Sequence, residues 1–528
     1  MDKPFFYTRR YANTVQSLMD DSCSRYTTYP YCEYVVEGKV ISKTYGDMRN
    51  DAQKIEAYLA EIGVKHVGLL GATGYQWLSV FMACLHAGVV VVPLDVTLPE
   101  IDLIYQIEHA DIEILICDEK YQGLAENVDQ DGKCQTIRCL GCDGQGSLSY
   151  ETNRFTNAAY SAPPVLNGPE LAMIVYTSGT SGKPKAVMLS QRNLSSAAHY
   201  GSSIIDVNVG DHLLVLLPNH HMYTIGHCFL SAMFVGGALC LNDSIYNTFS
   251  NIKKFNIDII VVVPAVMRLF KNEIQSQLRR AGFGPLDSLN KVKRALVTTL
   301  IRKRIGPNLK QIVCGGAPLD PSYVAFFKLL DIELLAGYGM TECAPLISCQ
   351  VYRHVDFQRP DSVGRPGVCC EAKIVDREIW VSGEHVMLGY YKDPDETAKA
   401  LTDEGWLKTG DIGHLDEEGF LYITGRLKNL IILGNGENVS PEELEAMFDD
   451  SQNIDGIIVS ANNDLDIISA EIHPAKTVVD SMGLEQAQTL IRQEVKEQNK
   501  NLPLYKQIQI INFREQPFEK TSSLKIKR

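Results

Sequence analysis

Several kinds of segment are missing from this sequence, and each absence removes a class of function. There is no long apolar run. The longest stretch without Asp, Glu, Lys or Arg is 212–242; Pro218, Asn219, His220 and His221 interrupt it, and its continuous apolar part, Cys228 to Leu241, is too short to span a bilayer. A buried core element is expected there, with at most peripheral contact to a membrane. No secretion signal opens the chain, because MDKPFFYTRRYANTV carries charges where such a signal needs an apolar centre. Positive charge is not in excess: 50 Lys+Arg stand against 64 Asp+Glu, a net charge of −14, which argues against a dedicated nucleic-acid binder. Paired zinc motifs are missing too. The 14 cysteines are scattered, and the Cys139–Cys142 pair has no second pair to complete a site. They read as reduced thiols of a cytoplasmic protein.

At 528 residues the chain exceeds a single-core domain and should divide into at least two. Residues 46–62 place Met48, Ala52, Ile55, Leu59 and Ile62 at three- and four-residue spacing, which predicts an amphipathic helix. A strand over 66–71, a mostly apolar helix over 74–88 and a strand over 89–96 follow, then a strand over 112–118. Residues 141–170, rich in Gly, Ser, Asn and Pro, read as a connection. Beyond it come a helix over 191–203, a strand over 213–218, an apolar helix to 236, a strand over 257–264, a basic helical region near 266–304 and a strand over 309–316. This alternation predicts parallel sheets with helices on their faces. From about 363 the pattern changes to short strands and turns, a small antiparallel region in which Asp376-Arg377 leaves little room for a hairpin loop. After Arg426 it changes again: a helix over 441–449, strands over 456–460 and 466–474, a helix over 483–499 with Leu484, Ala487, Ile491 and Val495 on one face, and a strand over 507–513. The expected fold is α/β, a large N-terminal domain (1–425) of stacked αβ subdomains plus a small antiparallel region, followed by a small α+β domain (426–528).

The richest chemistry lies in Ile174 to Asn193, IVYTSGTSGKPKAVMLSQRN. Apolar residues enter and leave a loop in which Thr177, Ser178, Gly179, Thr180, Ser181 and Gly182 precede Lys183. Hydroxyl donors and bare backbone N–H groups at this density form an anion-binding concavity, and a triphosphate is the guest they suit. The loop is not a Walker A motif, since only two residues separate Gly179 from Gly182 and Pro184 follows the lysine. On composition alone a flexible surface turn remains open.

As a whole string, YTSGTSGKPKAVMLSQRN resembles the signature of the adenylate-forming superfamily: acyl- and aryl-CoA synthetases, peptide-synthetase adenylation domains and firefly luciferase. Further blocks follow in that family's order. The resemblance implies that GGAPLD, with Gly315, Gly316 and Ala317, lines the adenine pocket. In GYGMTE, Gly337 and Gly339 allow close approach, Tyr338 offers a face for adenine, Met340 lies beside it, Thr341 donates to the α-phosphate, and Glu342 is a hard ligand for Mg²⁺, shared with Thr177. Asp411 of KTGDIG would accept the ribose hydroxyls. Ile423 and Arg426 join the nucleotide set, Lys428 sits at the family's hinge, and Lys525 is the counterpart of its catalytic lysine. Leu524 replaces the glycine usual before that lysine. The family turns its C-terminal domain about the hinge, so that Lys525 faces the site for adenylation and residues 429–439 face it for thiol attack.

His221, in PNHHMY, matches the family's pocket-mouth histidine and joins the catalytic set. Four of the 12 histidines (His212, His220, His221, His227) fall nearby, and pocket and packing roles suit them better than a metal cluster. Amino-acid-activating relatives carry an aspartate just beyond this point; Tyr223, Thr224 and Ile225 stand there instead, and no acidic residue lies between Asp211 and Asp243. NLIILGNGENVSPEELE is most similar to bacterial long-chain fatty-acid CoA ligases. The expected activity is AMP-forming acyl-CoA synthesis from a medium- or long-chain fatty acid, using ATP, Mg²⁺ and coenzyme A. The alternatives are a stand-alone ligase loading a carrier protein's phosphopantetheine, with an aryl acid as second-ranked substrate, and a catalytically silent acyl- or nucleotide-binding relative.

Overall fold

The structure is a computed structural model that describes residues 6–123, 136–141, 144–155, 162–177, 184–352, 359–433, 437–462, 467–521 and 526. Its large part is built on two mostly parallel sheets. The first has seven strands in the order Gly389–Tyr390, Lys185–Ser190, Leu171–Thr177, Val90–Pro93, His66–Leu70, Ile114–Asp118, Thr136–Leu140. The last five are parallel, and the first two join antiparallel at one edge. The second sheet has nine strands: Arg365–Pro366, Leu346–Cys349, Glu333–Gly339, Gln311–Cys314, Ile259–Val262, His212–Val215, Ala238–Leu241, Pro30–Val36, Lys39–Thr44.

Alternation predicts this. Strands such as Ile259–Val262 and Gln311–Cys314 are buried at every residue, the pattern of a parallel sheet covered on both faces. Helices Tyr75–Ala87 and Gln191–Ser203 contribute to one apolar core that unites the two sheets. Trp77 stacks on Phe81 at 5.2 Å between ring centres and meets Phe229 at 6.1 Å. The helix predicted over 46–62 is Tyr45–Ile62, with Met48, Ala52, Ile55 and Leu59 buried. The helix over 74–88 ends at Gly88 in the left-handed region (φ 73°), which closes its last turn. The connection 141–170 carries a short helix, Leu148–Thr152. The basic region divides into Pro264–Arg280 and Lys291–Ile305. Three elements precede anything the periodicity predicts: helix Val15–Arg25 and the hairpin Pro30–Val36/Lys39–Thr44.

The predicted apolar helix ending at 236 has an unpredicted irregularity. Met222–Thr224 and Ser231–Val235 are α-helical, but Ile225–Leu230 between them is a π-helix. A Cβ on Gly226 would collide with Pro345, so the bare glycine lets this wide turn lie against the segment that follows Glu342.

The antiparallel region is a four-stranded sheet, Cys370–Val375, Glu378–Gly383, Leu407–Leu415, Leu421–Arg426. Its first hairpin turns in two residues, Asp376 and Arg377, both at positive φ (49° and 72°), as a tight turn with right-handed strand twist requires. The C-terminal part has its own apolar core. Ile454–Asn462 pairs antiparallel with Ile467–Pro474, which pairs parallel with Ile508–Phe513. Helix Leu484–Asn499 buries Ala487, Ile491 and Val495, whereas Leu484, expected on the same face, is 48% exposed because it is the first residue of the helix. Among the described residues eleven cysteines are free thiols, as expected, but Cys139 departs from that expectation in being disulfide-bonded. Among the described residues no helix is long and apolar enough to cross a membrane.

Candidate functional site

Residues that lie far apart in sequence meet at the C-terminal ends of the nine-stranded sheet, where open α/β sheets hold ligands. Gly315 and Gly316 follow strand Gln311–Cys314, and Gly337, Tyr338 and Gly339 end strand Glu333–Gly339. These five, with Met340 and Thr341, line a cavity of about 170 Å³ whose other wall includes His221, Met222, Tyr223 and His227. The structure thus brings the expected adenine-side glycines and the expected acid-side histidine to one space. Ala317, next to Gly316 in the chain, is not part of its lining. No Asp, Glu, Lys or Arg is among the described residues of the wall. A Cβ on Gly339 would overlap the Pro345 carbonyl oxygen, so the chain can fold this tightly only with glycine there.

Beside the cavity is a buried ionic group. Asp411 is 3% exposed; its carboxylate accepts a hydrogen bond from the Tyr338 hydroxyl at 2.7 Å and pairs with Arg426 Nε at 2.6 Å. Strand pairing sets this up, because Asp411 and Arg426 are register partners across Leu407–Leu415 and Leu421–Arg426. Burial raises the Tyr338 hydroxyl well above its ordinary pKa, and the adjacent Asp411 charge adds to the rise. Burial lowers the Arg426 guanidinium, but Asp411 outweighs it and the net shift is upward. Ile423, on the same strand as Arg426, is half-buried.

Glu342 is 8% exposed in the turn Thr341–Cys343 and accepts a hydrogen bond from the Tyr390 hydroxyl at 3.0 Å. Sequence reasoning missed Tyr390, which lies in the region read only as short strands and turns. Tyr390 belongs to a two-residue strand paired with Lys185–Ser190, the strand that follows the hydroxyl-rich segment in the chain. Lys185 Nζ lies 4.7 Å from the Tyr390 ring centre and bonds Glu396 at 2.5 Å. That bond, with one from Lys399, holds Glu396 at about 2. At the other root of the loop, Thr177 Oγ1 donates to the Lys185 carbonyl oxygen at 3.4 Å. Glu342 is therefore tied through one phenol to the base of the hydroxyl-rich loop. Ser178, Gly179, Thr180, Ser181, Gly182, Lys183, Leu524 and Lys525 lie outside the described residues. Ile526 pairs with Lys520, whose Nζ is 3.6 Å from Asp455. Lys428 is exposed in the short turn Leu427–Asn429 that links the two parts of the chain.

Two histidines expected to take pocket or packing roles lie near the cavity wall. His220, 7% exposed, lies with Nε2 3.3 Å from Asp95, and its ring is 4.3 Å from that of His221. Burial raises the Asp95 carboxyl, but the His220 ring and the Thr97 donors prevail and hold it below its usual range. His227, on the π turn, is 4% exposed, and neither ring nitrogen has a hydrogen-bond partner. Burial pushes it down to about 4, so it is a neutral ring packed edge-on to Tyr223 at 5.0 Å.

A model of the AMP-binding enzyme family matches residues 20–391. The chain is 27% identical over 461 residues to the long-chain-fatty-acid–CoA ligase FadD15 of Mycobacterium bovis, covering 79% of this chain and 75% of that protein. It is 32% identical over 317 residues to the long-chain-fatty-acid–CoA ligase ACSBG1 of Rattus norvegicus, covering 52% of this chain and 43% of that one. Its fold matches the crystal structure of the anthranilate CoA ligase AuaEII in complex with anthranoyl-AMP, with a TM-score of 0.81 at 18% identity, over 99% of this chain and 96% of the other.

Proposed function

The chain belongs to the AMP-binding enzyme family, and on that footing we propose that it is an AMP-forming acyl-CoA synthetase which activates a medium- or long-chain fatty acid. Relatives named as long-chain-fatty-acid–CoA ligases support the acid and the acceptor. The observation that carries the reading is the shared cavity, in which a nucleotide held by Gly315, Gly316 and Tyr338 would present its α-phosphate to a carboxylate entering past His221.

The chemistry needs that juxtaposition. A carboxylate is a poor electrophile because its oxide will not leave. One of its oxygens attacks the α-phosphorus of ATP, the bond to the β-phosphate oxygen breaks, and pyrophosphate departs, leaving an acyl-adenylate. The sulfur of coenzyme A then attacks the acyl carbon, and AMP leaves. Asp411 already accepts from the Tyr338 hydroxyl and from two Arg426 nitrogens, which leaves about one lone-pair site to receive a ribose hydroxyl. Thr341 and the loop hydroxyls of 177–181 would donate to phosphate oxygens, and Lys525 would supply positive charge where it accumulates. Of the described groups, Glu342 and Thr177 suit Mg²⁺, since Glu342 is a buried hard-oxygen donor with lone pairs left after the Tyr390 bond. A bound Mg²⁺ would neutralise charge on the phosphates. We assign residues 1–425 to the nucleotide- and acid-binding domain and 426–528 to a mobile domain turning about Lys428, a hinge motion that would bring Lys525 to the phosphates and then exchange it for residues 429–439.

The acid-side wall supports an apolar acid over an amino acid, because nothing charged among its described residues could pair an ammonium. At about 170 Å³ the cavity is smaller than the ~300–1,000 Å³ usual for ligand pockets, so a long chain requires wall side chains to give way.

ATP–pyrophosphate exchange with a panel of fatty, aryl and amino acids tests the reading, followed by trapping of the product on coenzyme A or on a phosphopantetheinylated carrier protein. Fatty acids should drive the fastest exchange, coenzyme A should be acylated, and Lys525→Ala should suppress adenylation. Exchange driven only by amino acids, or AMP release unchanged in Lys525→Ala, overturns it.

A further inference from the structure

At the other end of the same sheet, three metal-ligating side chains converge in a place the nucleotide chemistry does not use. Glu33, His212 and Cys240 belong to the neighbouring strands Pro30–Val36, His212–Val215 and Ala238–Leu241. Register puts them on one face. Glu33 is paired with Cys240, and His212 is paired with Ala238, two residues before Cys240 in a strand whose side chains alternate. His212 Nε2 is 3.5 Å from Glu33 Oε2, and one ligand atom from each of the three residues lies within 4.8 Å of the others.

We propose that Glu33, His212 and Cys240 form a site for a zinc-type divalent transition-metal ion, which clamps the N-terminal hairpin to the other seven strands of its sheet. The donor set is the one such ions select: a thiolate, an imidazole and a carboxylate, with one tetrahedral position left for water. Bond lengths of about 2.0–2.3 Å require ligand atoms about 3.3–3.8 Å apart, so binding has to draw atoms that lie within 4.8 Å of one another together by at most about 1.5 Å. Asp258 stands at the other ring nitrogen, its Oδ2 3.9 Å from Nδ1 while it accepts the His212 backbone N–H at 3.0 Å. That is where the carboxylate that orients a ligating histidine belongs. An ion pair accounts for His212 and Glu33, but not for a fully buried thiol delivered to both. The glutamate and imidazole side chains are 14% and 24% exposed, which gives an ion a way in.

The location explains the use. Strand Pro30–Val36 joins the sheet through only two register pairs, Cys32 with Leu239 and Glu33 with Cys240. An ion bound to Glu33, Cys240 and His212 would tie three strands across that short seam.

The test uses the full chain, stripped with a chelator and titrated with Co²⁺. A thiolate-to-cobalt charge-transfer band should appear at one equivalent, and thermal unfolding should shift upward with Zn²⁺. Cys240→Ser and His212→Gln should each lose the band, and Asp258→Asn should weaken Co²⁺ binding by ~10-fold or more. If Cys240→Ser does not fold, His212→Gln and Glu33→Gln read the same outcome. No band from the native chain, or a band of undiminished intensity in His212→Gln, overturns the proposal.

Discussion

Asp411→Asn tests the nucleotide side of the site most directly. The substitution keeps shape and removes charge from a carboxylate that is 3% exposed and already holds Tyr338 and Arg426. Hydrogen bonds to a charged group are worth ~1.5–3 kcal/mol each, and neutral ones roughly half as much. A ribose hydroxyl bound to an amide in place of a carboxylate therefore loses ~0.75–1.5 kcal/mol, which raises the KM for ATP by ~4–13-fold. The KM for the fatty acid should hardly move. Loss of Arg426's partner also disturbs the fold, and 2′-deoxy-ATP separates the two effects. The native enzyme should discriminate strongly against the deoxy nucleotide, and the variant should discriminate several-fold less, the difference being the coupling between carboxylate and hydroxyl. The same ATP/2′-deoxy-ATP ratio of kcat/KM in both proteins would refute a ribose role for Asp411, whatever happened to stability.

Other expectations follow from the same geometry. Tyr390→Phe removes the donor to buried Glu342, a bond to a carboxylate worth ~1.5–3 kcal/mol; the exchange rate should fall ~10–100-fold and its Mg²⁺ optimum should rise, while acid KM stays constant. His227 is held neutral by burial at about 4, below its ordinary 6.5, so the folded state resists the proton that the unfolded chain accepts. Stability from this residue is complete above about 6.5 and is lost as pH falls toward about 4; His227→Leu should flatten that part of the Tm-against-pH curve. Asp449 has the opposite sign. Burial raises its carboxyl to about 7 against the pull of Arg268, and its neighbour Asp450 bonds Lys271 at 2.5 Å across to the large part of the chain. The protonated form favours the docked arrangement, so cleavage within 426–433 by protease should accelerate as pH rises from about 4 to about 7, and less so in Asp449→Asn.

Much of the fold was legible because burial imposes periods on the sequence. Met48, Ala52, Ile55 and Leu59 mark a helix, and the fully apolar Ile259–Val262 marks a covered strand. The N-terminal hairpin was not legible: Lys39–Thr44 is an edge strand with no buried residue, so it carries no alternation to detect. The glycine side of the cavity was legible because Gly315, Gly316, Gly337 and Gly339 cluster within two short segments. Tyr390 was not, since its tie to Glu342 depends on a two-residue strand formed only by tertiary pairing. The Glu33–His212–Cys240 convergence was invisible for a related reason. No local spacing links three residues on separate strands, and only the parallel register brings them to one face.

The π turn at Ile225–Leu230 makes the cavity wall it helps to form depend on backbone count as well as on side-chain size. Within a few residues Gly226 abuts Pro345, His227 faces the cavity and Phe229 packs on Trp77. Deleting a single residue there would tighten the turn to an ordinary helix; one residue fewer at a tighter winding leaves the flanking segments close to their present facing but re-aims the residues within the turn, Gly226 and His227 among them. One lost codon would then redraw the pocket floor without altering the chemistry of any amino acid that lines it, a route by which substrate range could diverge among otherwise similar chains.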